Sequence, residues 1–274
     1  MIVKGSLSIL VPQKCLLCKH KCLSGPICFR CLPLKIRLET SRCVHCFTPT
    51  TEAEVPCPDC QQFPLIFNSM RYLWYYTPKF EKIIFKAKYG GSFRLCKFLG
   101  LELSESLCAK SKPCWDLIIP IPSSKETLRE RGFLQTAIIA QQIAKKSKVE
   151  IKYNYLTHQN KVHIPQAGLS GPDRFQNMRD AFKINSSKVQ GRNVLIVDDV
   201  ITTGATITAA SLALLHSGAA SVSIMAPACS TLWQQTRKNL YNFQRQDLTQ
   251  SNNNLLLCRP WTKAQKPLQN FATL

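Results

Sequence analysis

The chain has 274 residues, 45% of them hydrophobic, and a formal net charge of +20 from 36 Lys and Arg against 16 Asp and Glu. That length holds one α/β domain plus a small extra module. No run of about eighteen apolar residues occurs, and residues 1–11 do not read as a secretion signal, so a cytoplasmic protein without a transmembrane segment is expected.

Nine of the 14 cysteines lie between residues 15 and 60. Eight form four C-x-x-C pairs: Cys15/Cys18, Cys28/Cys31, Cys43/Cys46 and Cys57/Cys60. Each pair places two sulfurs on one metal ion, and two pairs complete a tetrahedral Cys₄ site. Coupling in sequence order gives two structural Zn²⁺ sites; interleaved coupling, first with third and second with fourth, stays open. Cys22, His20 and His45 are spare. Zinc would replace the core that so short a segment lacks, and the knuckles could also touch nucleic acid. Residues 1–64 hold eight basic and four acidic groups; eight zinc-bound thiolates would cancel that excess and leave +16 on the rest of the chain. Such an excess favours a polyanionic partner, either nucleic acid or a pyrophosphate-bearing substrate.

Residues 61–69 form a join. Arg71 to Tyr76 reads as a strand. Pro78 opens a helix with Phe80, Ile83, Ile84 and Ala87 on one face, ending at Gly90-Gly91, and residues 92–110 form a second amphipathic helix. Residues 116–119 are a short buried strand closed by Pro120-Ile121-Pro122-Ser123. A helix is expected from about Lys125 to Lys148, and Val149 to Tyr155 alternates as a strand. Residues 157–182 are long and irregular, which in a compact domain marks a functional or disordered loop.

The stretch around residues 193–216 has the strongest chemistry. Asn193 to Val197 is an apolar strand that ends on Asp198 and Asp199; Thr202-Thr203-Gly204-Ala205-Thr206 makes a turn; a helix runs from Ile207 to His216. The amides and hydroxyls at a helix N-terminus attract phosphate, and Gly204 lets the backbone approach it. Two acids at the C-terminal edge of a strand suit sugar hydroxyls, or a metal ion riding on the sugar. Together they fit a ribose 5-phosphate. Ser221 to Ala226 is a further strand. From Trp233 the chain is Gln- and Asn-rich with no firm periodicity, and a poorly ordered basic tail with short pieces packed back is expected over 234–274.

Residues 198–206 resemble the 5-phosphoribosyl-1-pyrophosphate (PRPP) motif of type I phosphoribosyltransferases. With the four cysteine pairs, Arg129-Glu130-Arg131-Gly132-Phe133-Leu134-Gln135, and the spacing of Gln166, Leu169, Arg174, Asn177 and Ala181-Phe182, residues 10 to 230 resemble the ComF family of competence-associated proteins. Leu134 stands where that family has asparagine. The resemblance implies an α/β fold: a type I phosphoribosyltransferase-like parallel sheet flanked by helices, with a small N-terminal zinc module. It implies a zinc-binding module over 1–64, a phosphoribosyltransferase-like domain over 65–233 and a tail over 234–274. PRPP with Mg²⁺ would sit at the strand edge, its ribose on Asp198 and Asp199 as catalytic residues and its 5-phosphate on Thr202, Thr203, Gly204, Ala205 and Thr206. Its pyrophosphate would meet Pro120, Ser123, Arg129 and Arg131, and Lys86 would lend a charge. Residues 157–182 would be the mobile loop over the substrate. The implied role is DNA uptake in natural transformation, with single-stranded DNA and other competence proteins at the inner face of the membrane as partners. The alternative is an active phosphoribosyltransferase of nucleotide metabolism.

Overall fold

The computed structural model describes residues 13–22, 25–36, 41–52, 55–106, 114–158 and 181–250. Most of the expected loop over 157–182, its Gln166, Leu169, Arg174 and Asn177 included, lies outside the described residues, as do 251–274 of the expected tail.

The strands are β1 (Gln13–Lys14), β2 (Lys21–Cys22), β3 (Ser69–Arg71), β4 (Trp74–Tyr75), β5 (Leu117–Pro120), β6 (Glu150–Ile151), β7 (Leu156–His158), β8 (Phe182–Ile184), β9 (Asn193–Val197), β10 (Val200–Ile201), β11 (Ser221–Met225) and β12 (Ala228–Cys229). The helices are α1 (Pro58–Gln62), α2 (Pro78–Tyr89), α3 (Phe93–Glu105), α4 (Lys125–Arg131), α5 (Gln135–Ser147), α6 (Ala205–His216) and α7 (Leu232–Gln250). Five strands form one parallel sheet in the order β3-β11-β9-β5-β6. Apart from the edge strand β6, its strands are buried on both sides, as parallel sheets favour. Their side chains alternate between two apolar layers. Leu117, Ile119, Val194, Ile196, Val222 and Ile224 face one layer, while Ile118, Leu195, Val197 and Met225 face the other.

The two layers receive different cysteine segments. Cys43, Cys46, Cys57 and Cys60 join the first layer, and Cys15 and Cys28 join the second beside α2, α3 and α5. Gly100 on α3 lets that helix close on α5: a Cβ there would lie 2.8 Å from the Ile139 carbonyl oxygen. No described helix is long and apolar enough to cross a membrane.

Three adjacent strands of the sheet break along one line. β3 resumes as β4 after Tyr72-Leu73, β9 as β10 after Asp198-Asp199, and β11 as β12 after Ala226-Pro227. Pro227 has no N–H to give to a ladder, so the pairing must shift there. Beyond the line β10, β12 and β4 form a second small parallel sheet. The acidic pair therefore sits in a crease within the sheet, three residues before the glycine turn.

Several elements differ from the expectation: the strand expected from Arg71 to Tyr76 breaks into β3 and β4, and the one expected from Val149 to Tyr155 shortens to Glu150–Ile151. The helix expected over 125–148 is two helices, because Gly132 takes φ +75 and ends α4 in a left-handed cap. Residues 232–250 form a helix where a poorly ordered tail was expected. Trp233, Arg237 and Leu240 are buried on one side of it.

Candidate functional site

The eight paired cysteines form two clusters, Cys15/Cys18/Cys28/Cys31 and Cys43/Cys46/Cys57/Cys60, with the four sulfurs of each within 4.8 Å of one another. The coupling is thus in sequence order, and neither cluster is interleaved. Zn–S bonds of about 2.3 Å at tetrahedral angles put sulfurs about 3.8 Å apart. Cys18 and Cys28 Sγ are 3.5 Å apart, and Cys46 and Cys57 Sγ 3.7 Å. In both, the amide of the third cysteine donates to the first sulfur: Cys28 N–H to Cys15 Sγ at 3.4 Å, and Cys57 N–H to Cys43 Sγ at 3.2 Å. Lys19 and Phe47, one residue past the second cysteine, both take a left-handed φ and donate back to the first cysteine's carbonyl. This donor set and spacing fit Zn²⁺ in each cluster, held by those four cysteines. Cys22, His20 and His45 belong to neither cluster.

The crease places Asp198 and Asp199 where β9 ends beside β5, since Pro120 pairs with Val197 and the Ile121 amide donates to the Val197 carbonyl at 2.9 Å. Neither acid stands open. Asp198 is 8% exposed, and its Oδ1 accepts the Asp199 amide at 2.7 Å. Burial and the neighbouring Asp199 charge push its carboxyl up to about 7, against the pull of that amide and of Lys88. Asp199 Oδ2 is paired with Lys88 Nζ at 2.8 Å. Burial and the Asp199 charge also push the nearby Cys96 thiol up to about 12.

Lys86, the lysine singled out from the sequence, lies elsewhere. It lines a groove with Leu16, Leu17, Lys19, Lys82 and Phe85 against the first cysteine cluster. Residues two apart on a helix point to opposite sides, so Lys88 meets the acids and Lys86 cannot. Next to Lys88, Tyr89 carries the Arg131 guanidinium over its ring at 5.1 Å, which brings the C-terminal ends of α2 and α4 together. Arg129 is exposed on α4.

The loop after β5 is pinned. The Thr136 hydroxyl donates to the Ile121 carbonyl at 2.6 Å, and His158 Nε2 lies 3.1 Å from the Pro122 carbonyl oxygen. The Ser124 hydroxyl caps α4 by accepting the Thr127 amide. Ser123 is half-buried beside this cap.

After β10 the chain turns through Thr202, Thr203 and Gly204 into α6. Gly204 has φ +82, and a Cβ there would lie 2.2 Å from the Trp233 ring. One side of the turn is thus covered by α7. Thr202, Thr203 and Thr206 remain exposed. The Thr203 hydroxyl accepts the Ala205 amide at 3.4 Å and the Gly204 carbonyl accepts the Thr208 amide at 3.0 Å, while the Thr206 and Ile207 amides belong to the helix end that has no preceding turn to bond. Lys88, Tyr89, His158 and the α7 residues are parts of this region that sequence reasoning missed.

A family model for the phosphoribosyl transferase domain matches residues 128–241, a span that runs past Trp233 into α7. "DNA utilization protein YhgH" of Shigella flexneri is 29% identical over 81% of this chain and 99% of that protein. "Competence protein F" of Haemophilus influenzae is 27% identical over 66% of this chain and 82% of that protein. "Competence protein ComFC" of Bacillus subtilis is 24% identical over 72% and 81%. Among solved structures, the allosteric regulatory enzyme of purine biosynthesis overlaps at a TM-score of 0.35 and 23% identity, over 48% of this chain and 25% of that one, too loosely to build on. The chain is thus similar over most of its length to proteins named for DNA utilization and competence, and its residues 128–241 match the phosphoribosyl transferase domain.

Proposed function

We propose that this protein serves DNA uptake in natural transformation, binding PRPP at the crease and single-stranded DNA on its basic surface. The observation that carries the PRPP reading is the acidic pair at the sheet crease, with the glycine turn and the α6 N-terminus directly downstream. The ribose hydroxyls would go to Asp198 and Asp199, and the 5-phosphate to the amides and hydroxyls of 202–206. Binding would open the Lys88–Asp199 pair and free the ammonium for a pyrophosphate oxygen near Pro120 and Ser123. Arg131, with Arg129 beside it, supplies further charge there. Mg²⁺ would ride on the ligand's own diphosphate and spread its charge. In turnover the two carboxylates would stabilise positive charge on the ribose carbon as pyrophosphate leaves.

Calorimetric titration with PRPP and Mg²⁺ tests the site. Ionised Asp198 accepts sugar hydroxyls more strongly than the neutral acid does, and burial with the Asp199 charge pushes its carboxyl up to about 7. Affinity should therefore rise about tenfold from pH 6 to pH 8, beyond the ligand's own phosphate titration. Asp198→Asn should keep only the ligand's part. A profile identical in the two proteins would count against the crease.

The DNA reading is supported by the charge of +20 and by the relatives' names. Exposed Phe85 and Tyr89 lie with ring centroids 4.9 Å apart, tilted by 43°, beside Lys82 and Lys86, the mix of rings and cations that takes unpaired bases. Affinity for an oligothymidine should fall steeply from 50 to 200 mM salt, because phosphate contacts release counterions. Binding insensitive to salt would remove the DNA reading.

A further inference from the structure

One short stretch of α7 touches both the second cysteine centre and the glycine turn. At the turn, Trp233 lies on Gly204 and the Thr236 hydroxyl donates to the Thr203 carbonyl at 2.7 Å. One residue on, Arg237 is 1% exposed and aims Nη1 at Cys57 Sγ, 3.5 Å away. Its guanidinium also sits over the Trp233 ring at 5.7 Å.

A buried arginine needs a counter-charge. Asp59 is a poor one: its carboxylate is 3.5 Å away and 61% exposed. Arg237 Nε and Nη2 have no hydrogen-bond partner among the described residues. Burying a guanidinium so sparsely bonded costs several kcal/mol unless negative charge faces it. A zinc ion on four thiolates carries about two negative charges, and all four cysteines of this centre are buried.

We propose that Arg237 is the counter-cation of the second zinc centre, and that through it α7 couples zinc at that centre to the shape of the turn at 202–206. Losing the metal would disperse the sulfurs that hold Arg237. α7 would then lift, taking Trp233 from Gly204 and Thr236 from Thr203. Arg237 is a positioning residue in this scheme: it acts on the turn through Trp233 and Thr236. The consequence for ligand binding rests on the PRPP reading above; the link between zinc and turn does not.

The test uses the full chain loaded with two zinc ions. Zinc release to a chromogenic chelator and amide hydrogen exchange over 200–210 are measured in wild type, Arg237→Met and Arg237→Lys. Methionine keeps the apolar stem and removes the charge. In Arg237→Met one zinc should leave about 10–100-fold faster, the other at the wild-type rate, and exchange over 200–210 should rise. Arg237→Lys should fall between. Both zinc ions leaving at wild-type rates would overturn the counter-cation role, and faster release with unchanged exchange would overturn the coupling. If Arg237→Met does not fold, Thr236→Val tests the other end: zinc release should stay unchanged while exchange over 200–210 rises, and unchanged exchange would again overturn the link. PRPP affinity should weaken several-fold in either variant. A wild type with no PRPP affinity sinks the ligand reading alone, leaving zinc release and exchange to decide this one.

Discussion

Removing the second zinc centre by Cys43→Ser and Cys57→Ser should cost more than about 5 kcal/mol of stability and abolish a single cooperative unfolding transition. Structural zinc contributes about 10–16 kcal/mol to the folding of short peptides at neutral pH. Here the centre is one wall of a layer that includes Phe67, Tyr72 and Trp233. Its loss would also strand Arg237, whose guanidinium lies against Cys57. Breaking the pairing of a buried charge costs about 3–5 kcal/mol. The matching changes at Cys15 and Cys28 should cost less, because Cys18 is exposed and Cys31 half-buried. Guanidinium melts with metal analysis on the same samples check this. Second-centre variants that lack zinc yet unfold within about 1 kcal/mol of wild type would contradict it.

Gly204→Val should lower the melting temperature by about 4–20 °C. Left-handed backbone costs an L-residue about 1–2 kcal/mol, and overpacking a filled site about 1–3. A chain of this size loses about 2–4 °C per kcal/mol. The new Cβ would meet Trp233 at 2.2 and 2.3 Å and Leu240 at 3.1 Å. Adding Trp233→Leu should recover part of the loss, since it relieves the contact and leaves φ as it is. A change within 1 °C for the single variant would mean that Trp233 does not press on the turn.

The centre of the parallel sheet was legible because β5, β9 and β11 are largely apolar and run into Pro120, Asp198 and Ala226-Pro227. Asn193–Val197 and Ser221–Met225 appear within a residue of where periodicity placed them. The cysteine pairs were legible as ligands, but which pair joins which is a matter of chain path, and spacing alone left two couplings open. Lys86 and Lys88 are alike in composition and differ by 200° around the helix, so only the placement of α2 decides which meets the acids. α7 escaped notice because its buried stripe, Trp233, Arg237 and Leu240, has a cation in the middle. A guanidinium counts as polar in any apolar pattern, and its burial makes sense only once the Cys₄ centre beneath it is known. The crease was hidden for a related reason: Asp198-Asp199, Ala226-Pro227 and Tyr72-Leu73 are far apart in the chain and line up only across the assembled sheet.

The acidic pair at the crease is the centre of the functional account, and a thermal melt with PRPP and Mg²⁺ tests it most directly. Wild type should melt higher with the ligand, and Asp198→Ala with Asp199→Ala should show no rise. Equal rises in the two proteins would place the ligand elsewhere and contradict the account.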